Sequence, residues 1–290
     1  MNKRNQLNLG LFLFILLLGG LAYFDTVEDE IQNESISNLS QQDIQDITIK
    51  RSNKADIFLQ KKYNKWRLVK PYNTDVNQFR LDTLLRLVET RAHSSYPLSN
   101  SERYGLDTPK LEVQFNKNTN KAISIKFGDS EPIRSRRYIS VNDTLYLTND
   151  TYFYALNSVA TDYINPKILP TDFAIKGLEL PNLTLEIKDQ RWHATPKPEN
   201  FSVDNINELI SEWQTAQASK IEPFTLNLNS MSSKRITLFS KDASTITLHL
   251  LINTEAFILV DQLKGLQYTL PIEKKDLLLT LADNNTAATD

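Results

Sequence analysis

The chain has no cysteine in its 290 residues. That single absence removes disulfides, thiolate metal sites, a cysteine nucleophile and a lipid-bearing cysteine. An exported protein of this size without disulfides must be held by its core. Glycine is scarce, with seven residues, too few to assemble a Gly-rich phosphate loop. Neither charge dominates: 33 basic and 35 acidic residues leave a formal net charge of −2, which gives no basis for nucleic-acid binding. Only three histidines occur, His93, His193 and His249, and none is spaced with a second ligand in a metal-binding pattern. No Gly-x-Ser-x-Gly or Ser-x-x-Lys context marks a nucleophilic serine. Carboxylate pairs such as Asp107 with Glu112 are what any chain this acidic offers, and they do not argue for glycoside hydrolysis. The sequence therefore predicts no catalytic residue, no metal site, no cofactor and no enzyme.

What is present is a folded composition, 40% hydrophobic and 23% charged, long enough for two domains. Lys3 and Arg4 precede an uncharged run from Leu7 to Phe24, and Asp25, Glu28, Asp29 and Glu30 follow it. Eighteen residues of helix reach about 27 Å, close to the ~30 Å hydrocarbon core. The flanking charges put the N-terminus in the cytoplasm and the rest of the chain across the membrane. Residues 1–24 are thus expected to form a single-pass membrane anchor, with the bulk of the chain on the far side. Gly20-Leu21-Ala22 also resembles a cleavage site, so removal of the segment after Ala22 stays open. Residues 25–43, acidic and rich in Asn, Ser and Gln, read as a tether.

The remainder is organised around a stretch that occurs twice. Asn64-Lys-Trp66-Arg-Leu-Val-Lys-Pro71 precedes a helical run from Asp75 to about His93. Gln190-Arg-Trp192-His-Ala-Thr-Pro196 precedes another from about Asp204 to Ala218. Trp66 and Trp192 stand 126 residues apart. Leu81, Leu84, Leu85 and Val88 form an i, i+3, i+4, i+7 stripe, repeated as Ile206, Leu209, Ile210 and Trp213. Asp75 with Gln78 is a plausible capping pair. Before each helix, alternating segments read as strands: Asp46–Lys50, Asp56–Gln60 and Trp66–Leu68 in the first copy, with Asp172–Lys176 matched to Asp46–Lys50 in the second. After each helix come four more, at 111–115, 122–127, 137–141 and 144–148, then 236–239, 245–251, 257–261 and 267–270. The expected fold is α+β: a tandem duplication of a mostly antiparallel unit (about three strands, one amphipathic helix, four strands) behind one transmembrane helix. The units span 44–164 and 172–282, joined by a two-proline linker over 165–171. Residues 283–290 read as a disordered tail.

The Trp66–Pro71 strand end, the Leu-rich helix, Tyr104-Gly105-Leu-Asp-Thr-Pro109 and the Arg137-Tyr-Ile-Ser-Val hairpin together resemble a bacterial family, domain of unknown function 4340. The resemblance covers about Asp46–Pro170 well and the second half more weakly, where the hexapeptide is missing. It implies a membrane-anchored protein outside the cytoplasm, in many cases beside ABC-type transport components, and it carries no catalytic residues. The expected role is a non-catalytic accessory or scaffold with a protein partner in such a complex. The alternative is a periplasmic module binding a glycan or lipid in the cleft between the repeats, with Trp192, Trp213 or Tyr138 facing solvent. Lys126, Arg134, Arg136 and Arg137 form the one local charge bias and are the candidate partner-binding residues. Trp66, Pro71, Tyr104, Gly105, Pro109, Trp192 and Pro196 mark the repeats. Tyr152-Phe-Tyr154 reads as core packing.

Overall fold

The computed structural model describes residues 10–20, 34–132, 135–226, 228, 233–252 and 256–282. It is mostly antiparallel β-sheet with a few helices, an α+β fold. Residues 10–20 form helix α1. Among the described residues no helix is long and apolar enough to cross a membrane. Residues 1–9 and 21–24 of the expected anchor, the cleavage site after Ala22, residues 25–33 of the tether and the tail at 283–290 lie outside the described residues.

The body begins at Glu34, inside the stretch read as a tether. Strand β1 (Glu34–Ser35) pairs with β6 (Arg91–Ala92), and Ile36, Leu39 and Ile44 are buried in the core. The first large sheet then collects β2 (Asp46–Arg51), β3 (Lys54–Lys62), β4 (Lys65–Lys70), β5 (Thr74–Asp75), β7 (Ser94–Pro97), β8 (Leu111–Phe115), β9 (Ile123–Ser130), β10 (Arg136–Val141) and β11 (Thr144–Asn149). Their order is β5-β4-β3-β2-β8-β9-β10-β11-β7. The second collects β12 (Ile175–Leu180), β13 (Leu183–Lys188), β14 (Arg191–Thr195), β15 (Lys220–Pro223), β16 (Lys234–Ser240), β17 (Thr245–Ile252), β18 (Ala256–Asp261) and β19 (Leu266–Pro271). Its order is β14-β13-β12-β16-β17-β18-β19-β15. Leaving β5 aside, the two orders are the same.

Local chemistry explains where the strands turn. Asn53, Asn64 and Asn142 adopt positive φ between strands, as asparagine tolerates, and Asp189 and Gln190 do so at the place of Tyr63 and Asn64. Pro71 and Pro196, which cannot donate to a ladder, stop β4 and β14, and both follow cis peptide bonds. Helix α2 (Gln78–Leu87) is capped by Asn77, whose Oδ1 accepts from the amides of Phe79 (3.0 Å) and Arg80 (3.4 Å). The expected capping pair at Asp75 is corrected by this: Asp75 sits in β5, paired with Arg67. The helix also stops earlier than its apolar run, since Arg91–Pro97 leaves it to become β6 and β7. Helix α4 (Val203–Thr215) is capped by Ser202.

Both helical stripes pack as the periodicity requires. Leu81, Leu84 and Val88 are buried, as are Ile206, Leu209 and Trp213, while Leu85 and Ile210 lie half-covered against the same core. Short helices α3 (Thr151–Leu156) and α5 (Lys274–Leu279) join them, so each sheet carries its helices on one face. The Trp213 indole donates to the Leu278 carbonyl of α5 at 2.9 Å.

Strand registers carry the equivalence of the sheets residue by residue. Starting at Trp66 and Trp192, cross-strand pairing leads through Leu59 and Leu185, Ile47 and Leu178, Phe115 and Leu238, Phe127 and Leu250, Ile139 and Leu259, then Tyr146 and Tyr268. It ends at Ser95 and Ile221, in register with the Pro97 and Pro223 match read from sequence. One match fails on the way. Leu178, not Phe173, stands where Ile47 stands, because the β12–β13 hairpin is shorter than β2–β3.

Candidate functional site

A cavity lies where the two sheets meet. Its first wall is built at the start of α2. The Asn77 side-chain amide donates to the Asp162 carbonyl at 3.2 Å, and the Asn77 backbone amide to the Tyr163 carbonyl at 2.8 Å. These bonds dock the 3-10 helix Ala160–Tyr163 against α2. Arg80, in the first turn, donates to the Ala155 carbonyl and sits 3.7 Å from the Asp162 carboxylate. Arg51, at the end of β2, donates to the carbonyls of Ser158 and Ala55 and is 6% exposed. The Arg80 guanidinium thus meets the carbonyl end of α3, where a helix carries partial negative charge, and Arg51 meets a carbonyl just beyond it. Burial pushes the Arg51 pKa down, since the charged form loses its water. Its Nε has no hydrogen-bond partner among the described residues. Tyr163 is fully buried and donates to the Leu156 carbonyl at 2.8 Å, and the same desolvation raises its pKa.

The second wall is β15 and the residues leading to it. The Ala218 amide donates to the Pro166 carbonyl at 2.9 Å, Ile168 donates to Ala216 at 3.1 Å, and Lys167 bridges to Gln217. Between these walls lies a cavity of about 850 Å³. Tyr72, Phe79, Val159 and Ile164 give it apolar surface, and Phe79 is 73% exposed at the rim. Four cations line it, Arg51, Lys54, Arg80 and Lys220, against two carboxylates, Asp162 and Glu222. Lys220 and Glu222 pair with each other at 2.8 Å. A concave, mostly apolar space of this size with a few fixed polar groups can take a small ligand, and its charge balance favours an anionic one.

The residues singled out by sequence lie elsewhere, Pro71 excepted. Arg137 is 5% exposed; it is paired with Asp150 through Nε and Nη2, donates to the Gly128 carbonyl, and has its guanidinium 3.7 Å from the Phe153 ring centre. It is an internal strut, so its assignment to a partner-binding surface is corrected. Strand alternation turns Arg137 inward with Ile139, which the charge count alone could not reveal. Arg134 lies outside the described residues, and Lys126 and Arg136 are half-buried on β9 and β10. Trp213 is fully buried and Trp192 and Tyr138 half-covered; none of the three lines the junction cavity. Trp66 packs against the core, Pro71 lines the cavity, and Pro196 is exposed. Among the histidines, His93 Nε2 meets Asn149 Oδ1 at 3.0 Å, His249 Nδ1 meets Ser233 Oγ at 3.4 Å, and His193 is exposed on β14. Among the described residues no group of three His, Asp or Glu could hold a metal.

The hexapeptide packs against β9. Tyr104 ends a 3-10 turn capped by Gly105 at φ +68°, where a Cβ would lie 2.7 Å from the Asp129 carboxylate. Its carbonyl presses on Gly128, where a Cβ would come within 2.1 Å of that oxygen. Leu106 is buried beneath it, and Pro109 is half-covered. Sequence reading missed Arg51, Arg80, Tyr72 and Phe79. One signal was available: Phe79 is an apolar residue off the Leu81–Val88 stripe, on a face that otherwise reads as solvent.

A family model described as "Domain of unknown function (DUF4340)" matches residues 66–249, more than half of the chain. No curated protein and no solved structure matches it.

Proposed function

The chain belongs to the DUF4340 family, and from that footing we propose that it is a non-catalytic accessory or scaffold protein of a bacterial envelope complex. It is anchored in the inner membrane by its N-terminal helix, with the two-sheet body on the periplasmic side. The observation that carries this reading is α1. Leu11 through Leu18 are eight consecutive apolar residues, all about half-exposed or more, so every face of the helix is apolar and the body covers none of them. A helix apolar on all sides needs an apolar surrounding, and Lys3 and Arg4 before the run with Asp25 and Glu28 after it orient it in a bilayer. The equal strand order of the two sheets supports their origin by duplication of one unit. The partner, ABC-type transport subunits, rests on the family resemblance alone.

The test is affinity capture of the tagged full-length chain from crosslinked, gently solubilised membranes, with an anchor-only control. Transport subunits recovered with the full chain and not with the anchor support the reading; recovery of background alone contradicts it. If capture succeeds, Lys126 of β9 and Arg136 of β10 are the cations to reverse first. A second reading, a small-ligand module, is favoured by the junction cavity of about 850 Å³.

A further inference from the structure

A smaller groove of about 480 Å³ lies on the face of the first sheet turned away from α2. Its floor is Leu145 and Leu147 of β11, paired across strands with Tyr96 and Tyr138. The leucines need no functional account, because both are buried, at 3% and 8% exposure. The tyrosines do. Tyr96 is 56% exposed, and Tyr104 and Tyr138 are half-covered with ring centres 4.8 Å apart and planes tilted by 52°.

The second sheet supplies an internal control. Following the registers, the places of Tyr96, Tyr138, Leu145 and Leu147 are taken there by Glu222, Ile258, Gln267 and Thr269. Gln267 donates to Glu222 at 3.4 Å, an ordinary solvated polar face. The fold therefore does not require tyrosines at these positions.

The rim decides what such a groove can hold. Arg103 sits 5.8 Å from the Tyr104 ring centre and offers donors. Asp129 and Glu131 offer acceptors, and Glu131 Oε2 is buried with no hydrogen-bond partner among the described residues. A cationic ligand would oppose Arg103 and Lys110, which pairs with Asp129 at 3.6 Å. A proline-rich peptide brings carbonyl acceptors and leaves Glu131 Oε2 without a donor. Adding a strand at β7 is limited by Pro97, which has no amide hydrogen. A hydroxyl-rich ring meets all the conditions: each hydroxyl both donates and accepts, and its C–H faces stack on tyrosine. We propose that this groove is an oligosaccharide-binding site, with Tyr96, Tyr104 and Tyr138 as stacking platforms and Arg103, Asp129 and Glu131 as hydroxyl partners. The site is separate from the junction cavity and does not rest on the transport reading.

The experiment is calorimetric titration of the detergent-solubilised full chain with cellohexaose, chitohexaose and, as the competing class, decaproline. The expected result is saturable binding of at least one hexasaccharide and none of decaproline. Tyr96→Ala is expected to weaken that binding roughly tenfold, the scale of one lost aromatic contact, with an unchanged melting temperature because the ring is largely in solvent. Glu131→Gln keeps the shape and is expected to weaken binding as well. Failure of both hexasaccharides to bind, binding indifferent to Tyr96→Ala, or binding of decaproline would overturn the proposal.

Discussion

Strand for strand the second sheet retraces the first, yet the two halves solve the same positions with different chemistry. In the first, Arg137 and Asp150 form a buried ion pair beneath Phe153. In the second, the registers place Phe257 where Arg137 stands, and Ile272 lies past the next strand at the place of Asp150. Edges differ too. In the first half β5 covers β4, while among the described residues no such strand pairs with the matching outer edge of β14. At the other side no further strand pairs with β7 among the described residues, while its counterpart β15 turns toward the junction and the 3-10 helix Ala160–Tyr163. The comparison teaches which features the topology demands and which one half added. The apolar stripe, the turn residues and the proline stops recur in both. Among the described residues the ion pair, the hexapeptide and the tyrosine groove belong to the first half.

The largest expected effect comes from breaking the ion pair. Arg137→Ala leaves Asp150 buried without its partner, and stability measured by denaturant unfolding is expected to fall by about 3–5 kcal/mol. Converting the site to its counterpart, Arg137→Phe with Asp150→Ile, is expected to recover most of that loss, because well-packed apolar groups commonly replace a buried pair at little cost. A double variant as unstable as the single one would mean that the halves are not interchangeable here.

Next in size is Gly128→Ala. The added methyl group meets the Tyr104 carbonyl, and a loss of about 1–3 kcal/mol is expected from forced displacement of the hexapeptide. The counterpart is Leu251, in a half whose sequence lacks the hexapeptide, so Leu251→Ala is expected to bring no such displacement. A melting curve for each variant checks the pair.

A smaller effect separates Glu112 from its counterpart, Arg235. Burial pushes the Glu112 carboxyl pKa up, but hydrogen bonds from Ser124 (2.6 Å) and Gln114 (2.7 Å) and the charge of Lys50 outweigh it, so the net shift is downward. A group depressed in the folded state stabilises above the ordinary carboxylate range, and that contribution is lost as pH falls through it. The drop in melting temperature between pH 6 and about pH 3 should therefore be shallower in Glu112→Gln than in the parent. Equal slopes would contradict the assignment.

The smallest effect is expected at Lys65–Asp172, which joins the halves at 2.9 Å in full solvent. Each partner favours the charged form of the other. Such pairs are screened, so Lys65→Ala should leave the melting temperature unchanged within error at physiological salt. A clear loss would show that the junction depends on this contact.

Much of this architecture was legible in the residues. Period-two and period-3.6 patterns are direct consequences of strand and helix geometry, so the stripe from Leu81 to Val88 and its copy could be read without coordinates. Short edge strands could not. Ser94–Pro97 and Lys220–Pro223 carry little alternation, and their pairing with β11 and β19 is set by the sheet rather than by local preference. The site was the least legible part. Arg51, Arg80 and Phe79 are far apart in sequence or look solvated on their own elements, and only the docking of residues 158–166 against α2 brings them together. Arg137 shows the converse. Its neighbours in sequence made it look like part of a basic loop, whereas its position on β10 sends it inward.

The central claim, an anchored chain with its paired-sheet body outside the cytoplasm, is tested most directly by protease accessibility combined with alkaline extraction of membranes. The account predicts that the full chain resists extraction and that its body is digested once the outer membrane is opened while the inner membrane stays sealed. It also predicts that deleting residues 1–24 releases the body from the membrane. A body protected until the inner membrane is broken, or a full chain washed off at high pH, would contradict it.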